Sequence, residues 1–366
     1  MARSIPAEIA EQVSEEAKQK VSKRVVKKIK EEDLAPSGST LLNLACSDTP
    51  HGAYELGSIV TIPGASQSGK TILSLTSLAE ASSLSRFDEY KLIHDDAEER
   101  RAFDLVYLFG KKVADRIEEP PLGNSPTIQK FQANALNLLK SKIPFIYVLD
   151  SFDSLSSDEE LEKEMRKALA MAKSDEAAKK IAGSYNTEKA KIAGQMLRMV
   201  NNDLKHSKSL IIIIQQRRQK IGAGPFEEKY TTSGGEAPFF YSQHQVWISK
   251  TNSIKEQGQV IGNTASIKMK KNSLTGKLRD NITFDIYYDY GIDDISSCVN
   301  FLLETGYWKK NGNYIVAEDL DIKEMRTNLI IEIEKRSLER RLIKATHNAW
   351  KQREELLKLD RKPRYE

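Results

Sequence analysis

Gly64-Ala65-Ser66-Gln67-Ser68-Gly69-Lys70-Thr71 fits G-x-x-x-x-G-K-[ST], the pattern of a phosphate-binding loop. The spacing has a physical reason. Two glycines let the main chain close around a phosphate chain, so that successive N–H groups point at its oxygens. Lys70 brings a point charge to the β- and γ-phosphates, and the Thr71 hydroxyl can ligate Mg²⁺. The flanking sequence agrees. Ser58-Ile59-Val60-Thr61-Ile62 reads as a buried strand entering the loop. Residues 71–81 read as a helix leaving it, with the positive end of its dipole on the phosphates. ATP and Mg²⁺ are therefore the expected cofactors.

The chain has 366 residues, enough for one large domain with appendages or for two domains. Charged residues make up 30% and apolar residues 39%, which suits a globular protein with a charged surface. A net charge of +4 excludes a global polycation, so affinity for nucleic acid must come from local basic patches. Cys46 and Cys298 stand far apart and form no metal-binding spacing, and a reduced cytoplasmic compartment is expected. The first residues lead into a charged segment, unlike a signal peptide. Aliphatic runs such as 210–214 are too short to span a membrane.

Residues 1–37 read as a helical oligomerisation segment and linker. Acidic residues lead and basic ones follow, which complements the helix dipole. The apolar stripe Val13, Ala17, Val21, Val25 is thin, so this helix either packs on a neighbouring subunit or is solvated. Ala35-Pro36-Ser37-Gly38-Ser39 is the linker signal. From residue 58 to about 292, apolar runs alternate with helical patterns. Strands are expected at 59–62, 91–94, 145–149, 209–214, 245–249, 266–270 and 283–288. This alternation argues an α/β core over 38–292 with a mostly parallel central sheet. The unbroken aliphatic run Leu210-Ile211-Ile212-Ile213-Ile214 suits a strand covered on both faces. Residues 158–181 read as a long charged helix. Residues 293–366 read as a small α+β domain, with a helix at 295–305 and a hairpin at 309–314. A second charged helical stretch is expected from Glu318, ending basic at Lys358, Arg361, Lys362 and Arg364.

The metal needs a carboxylate. Phe145-Ile146-Tyr147-Val148-Leu149-Asp150 is a hydrophobic strand ending in Asp, which places Asp150 beside Mg²⁺. Hydrolysis needs a group that orients or deprotonates water. Asp95-Asp96-Ala97-Glu98-Glu99 follows the 91–94 strand, on the edge where open α/β sheets bind ligands, and Glu98 is the candidate base.

These motifs, in this order, resemble the bacterial RecA family of recombinases, and within it the divergent RecA-like proteins of bacteriophages. The resemblance runs from about residue 41 to 308. It is carried by the P-loop, Asp96-Ala97-Glu98, Val148-Leu149-Asp150-Ser151, Ile214-Gln215-Gln216-Arg217-Arg218, Thr231-Thr232-Ser233-Gly234-Gly235, and Lys268-Met269-Lys270-Lys271-Asn272. It implies a RecA-like ATPase core with Glu98 as catalytic base. Gln216 becomes the sensor of the γ-phosphate, and Lys271 the lysine that reaches a neighbour's nucleotide. A second lysine usually stands where this chain has Ser273, a departure from the family's pattern at the trans-acting contact.

The same resemblance implies two DNA-binding loops. Lys191 and Arg198 fall on the basic positions of the first, with lysine replacing the usual arginine and losing its bidentate grip. The second spans about 219–235. Arg217, Arg218 and Lys220 would neutralise the backbone, Phe226 and Tyr230 would stack on or wedge bases, and Gly234 and Gly235 would let the loop move. The implied function is ATP-dependent filament formation on single-stranded DNA, with homology search and strand exchange against duplex DNA. Single-strand-binding or loader proteins could assist, in a bacterial cell or an infected host cell. Two alternatives stay open: a RecA-like ring helicase or translocase, and a filament or mediator protein that binds ATP and DNA with little hydrolysis.

Overall fold

The computed structural model describes residues 29–99, 103–171, 186–220, 224, 230–232, 237–362 and 364. The chain divides into two contact units, residues 1–33 and 34–366. Of the first, a single 3-10 turn at Glu31–Asp33 is described. The helix expected over 7–33 otherwise lies outside the described residues.

The second unit is built on one large sheet. Its strands, in chain order, are β3 (Ser58–Gly64), β4 (Lys91–Asp96), β5 (Ile117–Glu118), β6 (Phe145–Asp150), β7 (Leu210–Gln219), β8 (Tyr230–Thr232), β9 (His244–Glu256), β10 (Gln259–Asn272), β11 (Asp280–Tyr287) and β12 (Gly291–Asp293); β1 (Leu34–Ala35) and β2 (Tyr54–Glu55) pair separately. The spatial order is β12-β11-β10-β9-β3-β7-β6-β4-β5, with β8 attached to β7. From β5 to β9 all neighbours run parallel, and from β9 to β12 they run antiparallel.

Strand alternation sorts the aliphatic residues onto two faces. Val60, Ile62, Ile146, Val148, Leu210, Ile212 and Ile214 face one core, shared with Leu73 and Leu78 of the P-loop helix Lys70–Ser82. Ile59, Phe145, Tyr147, Leu149, Ile211 and Ile213 face the other, covered by the helices Ile128–Ser141 and Asn186–Ser207. Both faces of β7 are therefore buried, which is why its first half is a continuous aliphatic run.

Two stretches differ from the sequence reading. The hairpin β9–β10 is much longer than the expected 245–249 and 266–270. It closes on Gln257 and Gly258, both at positive φ (48° and 81°), a reversal that matches the twist of paired strands. The segment from Glu318 is not one helix. After a reversal at Asp321 (φ 56°), β15 (Ile322–Met325) pairs with β14 (Tyr314–Ala317), itself paired with β13 (Lys309–Asn311). Helices Arg326–Lys335 and Glu339–Leu356 follow, and Lys358, Arg361, Lys362 and Arg364 stand beyond the last of them. Val299, Leu302, Trp308 and Trp350 join the same buried cluster as the P-loop helix. Among the described residues no helix is long and apolar enough to cross a membrane.

Candidate nucleotide and DNA site

Three parallel strands, β3, β4 and β6, end at one edge, and β7 runs on past it. Gly64 on β3 is level with Gln216 on β7, and Asp96 on β4 with Asp150 on β6. The loops leaving their carboxyl ends bound a cavity of about 290 Å³, lined among others by Ser66, Lys70, Thr71, Glu98, Asp150 and Gln216. Such a crevice is where open α/β sheets hold ligands.

The loop Gly64–Thr71 needs its glycines. A Cβ on Gly64 would stand 2.6 Å from the main-chain oxygen of Ile248, and Gly69 sits at φ 96° with Ile286 against it. Lys70 folds back beneath the loop, its Nζ donating to Ala65 O at 2.6 Å and Gly64 O at 3.2 Å. Burial lowers its pKa, while the carboxylates of Asp150, Asp153 and Glu98 pull it back up. The Thr71 hydroxyl donates to Asp150 Oδ2 at 2.6 Å. Burial pushes Asp150 up to about 6, against the Thr71 hydrogen bond that favours its charged form. A hydroxyl and a carboxylate in contact are hard oxygen donors suited to Mg²⁺, and the loop can admit a phosphate chain; the residues fit both groups.

Glu98 follows β4 and faces this centre. Its Oε1 accepts from Ser151 Oγ at 3.0 Å, Ser154 Oγ at 3.2 Å and Gln216 Nε2 at 3.4 Å. The structure therefore brings Gly64, Ala65, Ser66, Gln67, Ser68, Gly69, Lys70, Thr71, Glu98, Asp150 and Gln216 to one sheet edge. Lys271 is elsewhere. It is level with Gln245, which is level with Thr61, about 10 Å down the strand from Gly64. Its Nζ donates to Phe239 O and Phe240 O, both at 2.8 Å.

The DNA candidates lie beyond the nucleotide edge. Past Gln216, β7 continues as a ribbon with β8, pairing Arg217 with Thr232 and Gln219 with Tyr230. Arg217 stacks over the Tyr230 ring at 4.4 Å, and Tyr230 is exposed. Arg218 and Lys220 are exposed. Lys191 and Arg198 are exposed on the helix Asn186–Ser207, at a helical spacing that puts them on one face. Phe226, Gly234 and Gly235 lie outside the described residues. The sequence reading missed two features here. Trp247 carries the Lys270 ammonium 3.6 Å from its ring centre, and with Arg217, Tyr230 and Lys268 they line a cleft of about 340 Å³. The other is Asp153, whose Oδ2 accepts the main-chain N–H of Gln216 at 2.6 Å; the paired acids of Asp150-Ser151-Phe152-Asp153 were its only signal.

Fold and site together define a P-loop nucleoside triphosphatase with a basic, aromatic loop on the strand next to the phosphate-binding one. The family model of the RecA N-terminal domain matches residues 5–293, and the chain belongs to this family. It is 28% identical over 296 residues to Protein RecA of Zymomonas mobilis, covering 81% of this chain and 75% of that one. It is 29% identical over 296 residues to Protein RecA of Acidiphilium cryptum, covering 81% and 78%. With Protein RecA of Marinobacter nauticus the figures are 29% over 261 residues, 71% and 68%.

Proposed function

We propose that this chain is an ATP-dependent homologous-recombination protein. It assembles as a filament on single-stranded DNA, searches duplex DNA for homology and exchanges strands, and its ATPase depends on DNA. One observation carries the reading: Gln216, in hydrogen-bond reach of Glu98, sits on the same strand that continues as Arg217 and Arg218 into the basic loop.

The residues divide the work. The main chain of 64–71 and Lys70 hold the phosphates of ATP. Thr71 and Asp150 would hold Mg²⁺, which would neutralise charge on the phosphate chain. Glu98 accepts the proton of the attacking water, and Gln216 reads the γ-phosphate. The hollow formed by Gly69, Asn263, Ile286, Tyr287, Tyr288 and Phe103 adjoins the P-loop and suits the base. Lys271, set apart from its own P-loop, serves a neighbouring subunit's nucleotide. Arg217, Arg218, Lys220, Lys191 and Arg198 neutralise DNA phosphates while Tyr230 and Phe226 stack on bases. ATP holds the DNA-binding state through its higher affinity for it, and hydrolysis releases the strand.

The test is ATP hydrolysis at low salt with and without single-stranded DNA, on wild type and Glu98→Gln. The reading expects stimulation in the wild type, and in the variant a stable ATP-dependent DNA complex with turnover lost. Normal turnover in Glu98→Gln removes Glu98 as the base. A mediator with little hydrolysis is the second reading, favoured by Ser273 at the place of the family's second lysine. Nucleotide-dependent DNA binding without turnover in the wild type would select it.

A further inference from the structure

The short turn after β6 touches three parts of the site. Its Ser151 and Ser154 hydroxyls bond Glu98. The carboxylate of Asp153, its side chain only 8% exposed, takes the Gln216 N–H on Oδ2 and lies 3.5 Å from the Arg218 guanidinium through Oδ1. The carbonyls of Asp153 and Leu155 accept from Lys189 Nζ, the first at 3.3 Å. Lys189 belongs to the helix that carries Lys191 and Arg198.

The topology explains why a carboxylate stands there. β6 pairs with β7 only as far as Leu149 and Ile213. On that side the Gln216 N–H lies past the end of the ladder, and an unmet donor there is costly. Asp153 meets it. Among the described residues its other oxygen has no hydrogen-bond partner and is ion-paired to Arg218, whose side chain is 55% exposed. That pairing attracts Arg218 by charge without fixing its geometry, so a phosphate can compete for it.

We propose that Asp153 is a positioning residue coupling DNA binding to the Glu98 centre. It holds Arg218 back at the root of the DNA loop. Transfer of Arg218 to a DNA phosphate frees the turn Phe152–Ser154 to withdraw the Ser151 and Ser154 hydroxyls from Glu98. Both hydroxyls occupy Glu98 Oε1, so their withdrawal leaves that oxygen to accept from the attacking water. This rests on the reading of the chain as a DNA-dependent ATPase.

Asp153→Asn tests it, because the amide keeps an oxygen for the Gln216 N–H and loses the charge facing Arg218. Single-strand binding without nucleotide should tighten about threefold, the scale of a partly exposed ion pair. Hydrolysis without DNA should rise while the rate at saturating single strands and the KM for ATP hold, so the stimulation ratio falls. Asp153→Glu should restore the ratio. In an Arg218→Gln background Asp153→Asn should leave DNA affinity unchanged, as a cycle through one shared contact requires. An unchanged ratio and affinity in Asp153→Asn, beside a wild type that DNA stimulates, overturns the coupling. Equal loss of both rates with a raised KM overturns it too, and leaves Asp153 as a structural prop. A wild type that single strands do not stimulate removes the ATPase reading itself, and the coupling falls with it.

Discussion

His244 opens β9 with its side chain fully buried and its ring edge-on to Tyr54, 6.0 Å between centroids. Among the described residues neither ring nitrogen has a hydrogen-bond partner. The polar groups nearby are the Cys46 main chain and the Asn272 side chain, and the Asn272 amide already donates to Cys46 O at 3.0 Å and Lys277 O at 3.1 Å. Burial therefore lowers the His244 pKa from 6.5 to about 4. The unfolded chain takes up a proton that the folded chain refuses. This contribution to stability is complete above pH 6.5 and is lost as the pH falls toward 4. Between pH 7.5 and 5 the loss is about 2 kcal/mol. Buried carboxylates act in the opposite sense. Burial raises Glu80 to about 7 and Asp150 to about 6, so the folded state binds their protons more readily and gains stability as the pH falls. Comparing wild type with His244→Gln cancels those groups. The assay is urea unfolding of both proteins at pH 7.5 and pH 5. The variant should be the less stable at pH 7.5, because Gln does not fill the ring's site. It should also lose about 2 kcal/mol less than wild type between the two pH values. Equal losses would refute the reasoning, since they would mean that His244 titrates alike in both states.

Three further outcomes follow from the packing around the P-loop and the C-terminal helices. Lys70→Ala should abolish nucleotide-dependent DNA binding, measured by anisotropy of a labelled single strand; unchanged binding removes the P-loop role. Gly64→Ala puts a Cβ 2.6 Å from Ile248 O, so it should destabilise by about 1–3 kcal/mol and weaken ATP binding. A melting curve and a nucleotide titration check it, and wild-type values in both would show that the loop does not need a bare main chain there. Trp350→Ala removes a buried ring that lies 5.9 Å from Phe301 and donates to Asp48 at 3.3 Å; about 3–5 kcal/mol should be lost. Because Trp350 shares its core with the P-loop helix, the whole cooperative transition should shift. A shift confined to a separate early transition would mean that residues after 293 unfold on their own.

The nucleotide edge was legible because its constraints are local. A phosphate cradle demands two glycines at fixed spacing, and a strand buried on both faces demands unbroken aliphatic sequence. So β3, β6 and the first half of β7 announce themselves, and the carboxylates at strand ends fall into place once the sheet is parallel. The outer half of β9 carries Ser249, Lys250, Thr251, Asn252 and Ser253, mostly exposed, and has no apolar alternation to betray a strand. Its turn, Gln257-Gly258, lacks the Asn-Gly or Asp-Gly signal that such reversals usually carry. Contacts between distant segments were beyond reach for a different reason. Lys277 bonds Asp48 at 2.7 Å and Glu354 at 3.0 Å, joining three parts of the chain, yet each residue alone reads as a surface charge. Asp153 belongs to the same class. In sequence it is one acid among several after a strand. Only the register shows that β6 stops short of Gln216 and leaves a donor for it to meet. A motif reports what a residue does for its own loop. What it does for another strand depends on where two ladders end, as Asp153 does for the Gln216 N–H beyond the end of the β6–β7 ladder.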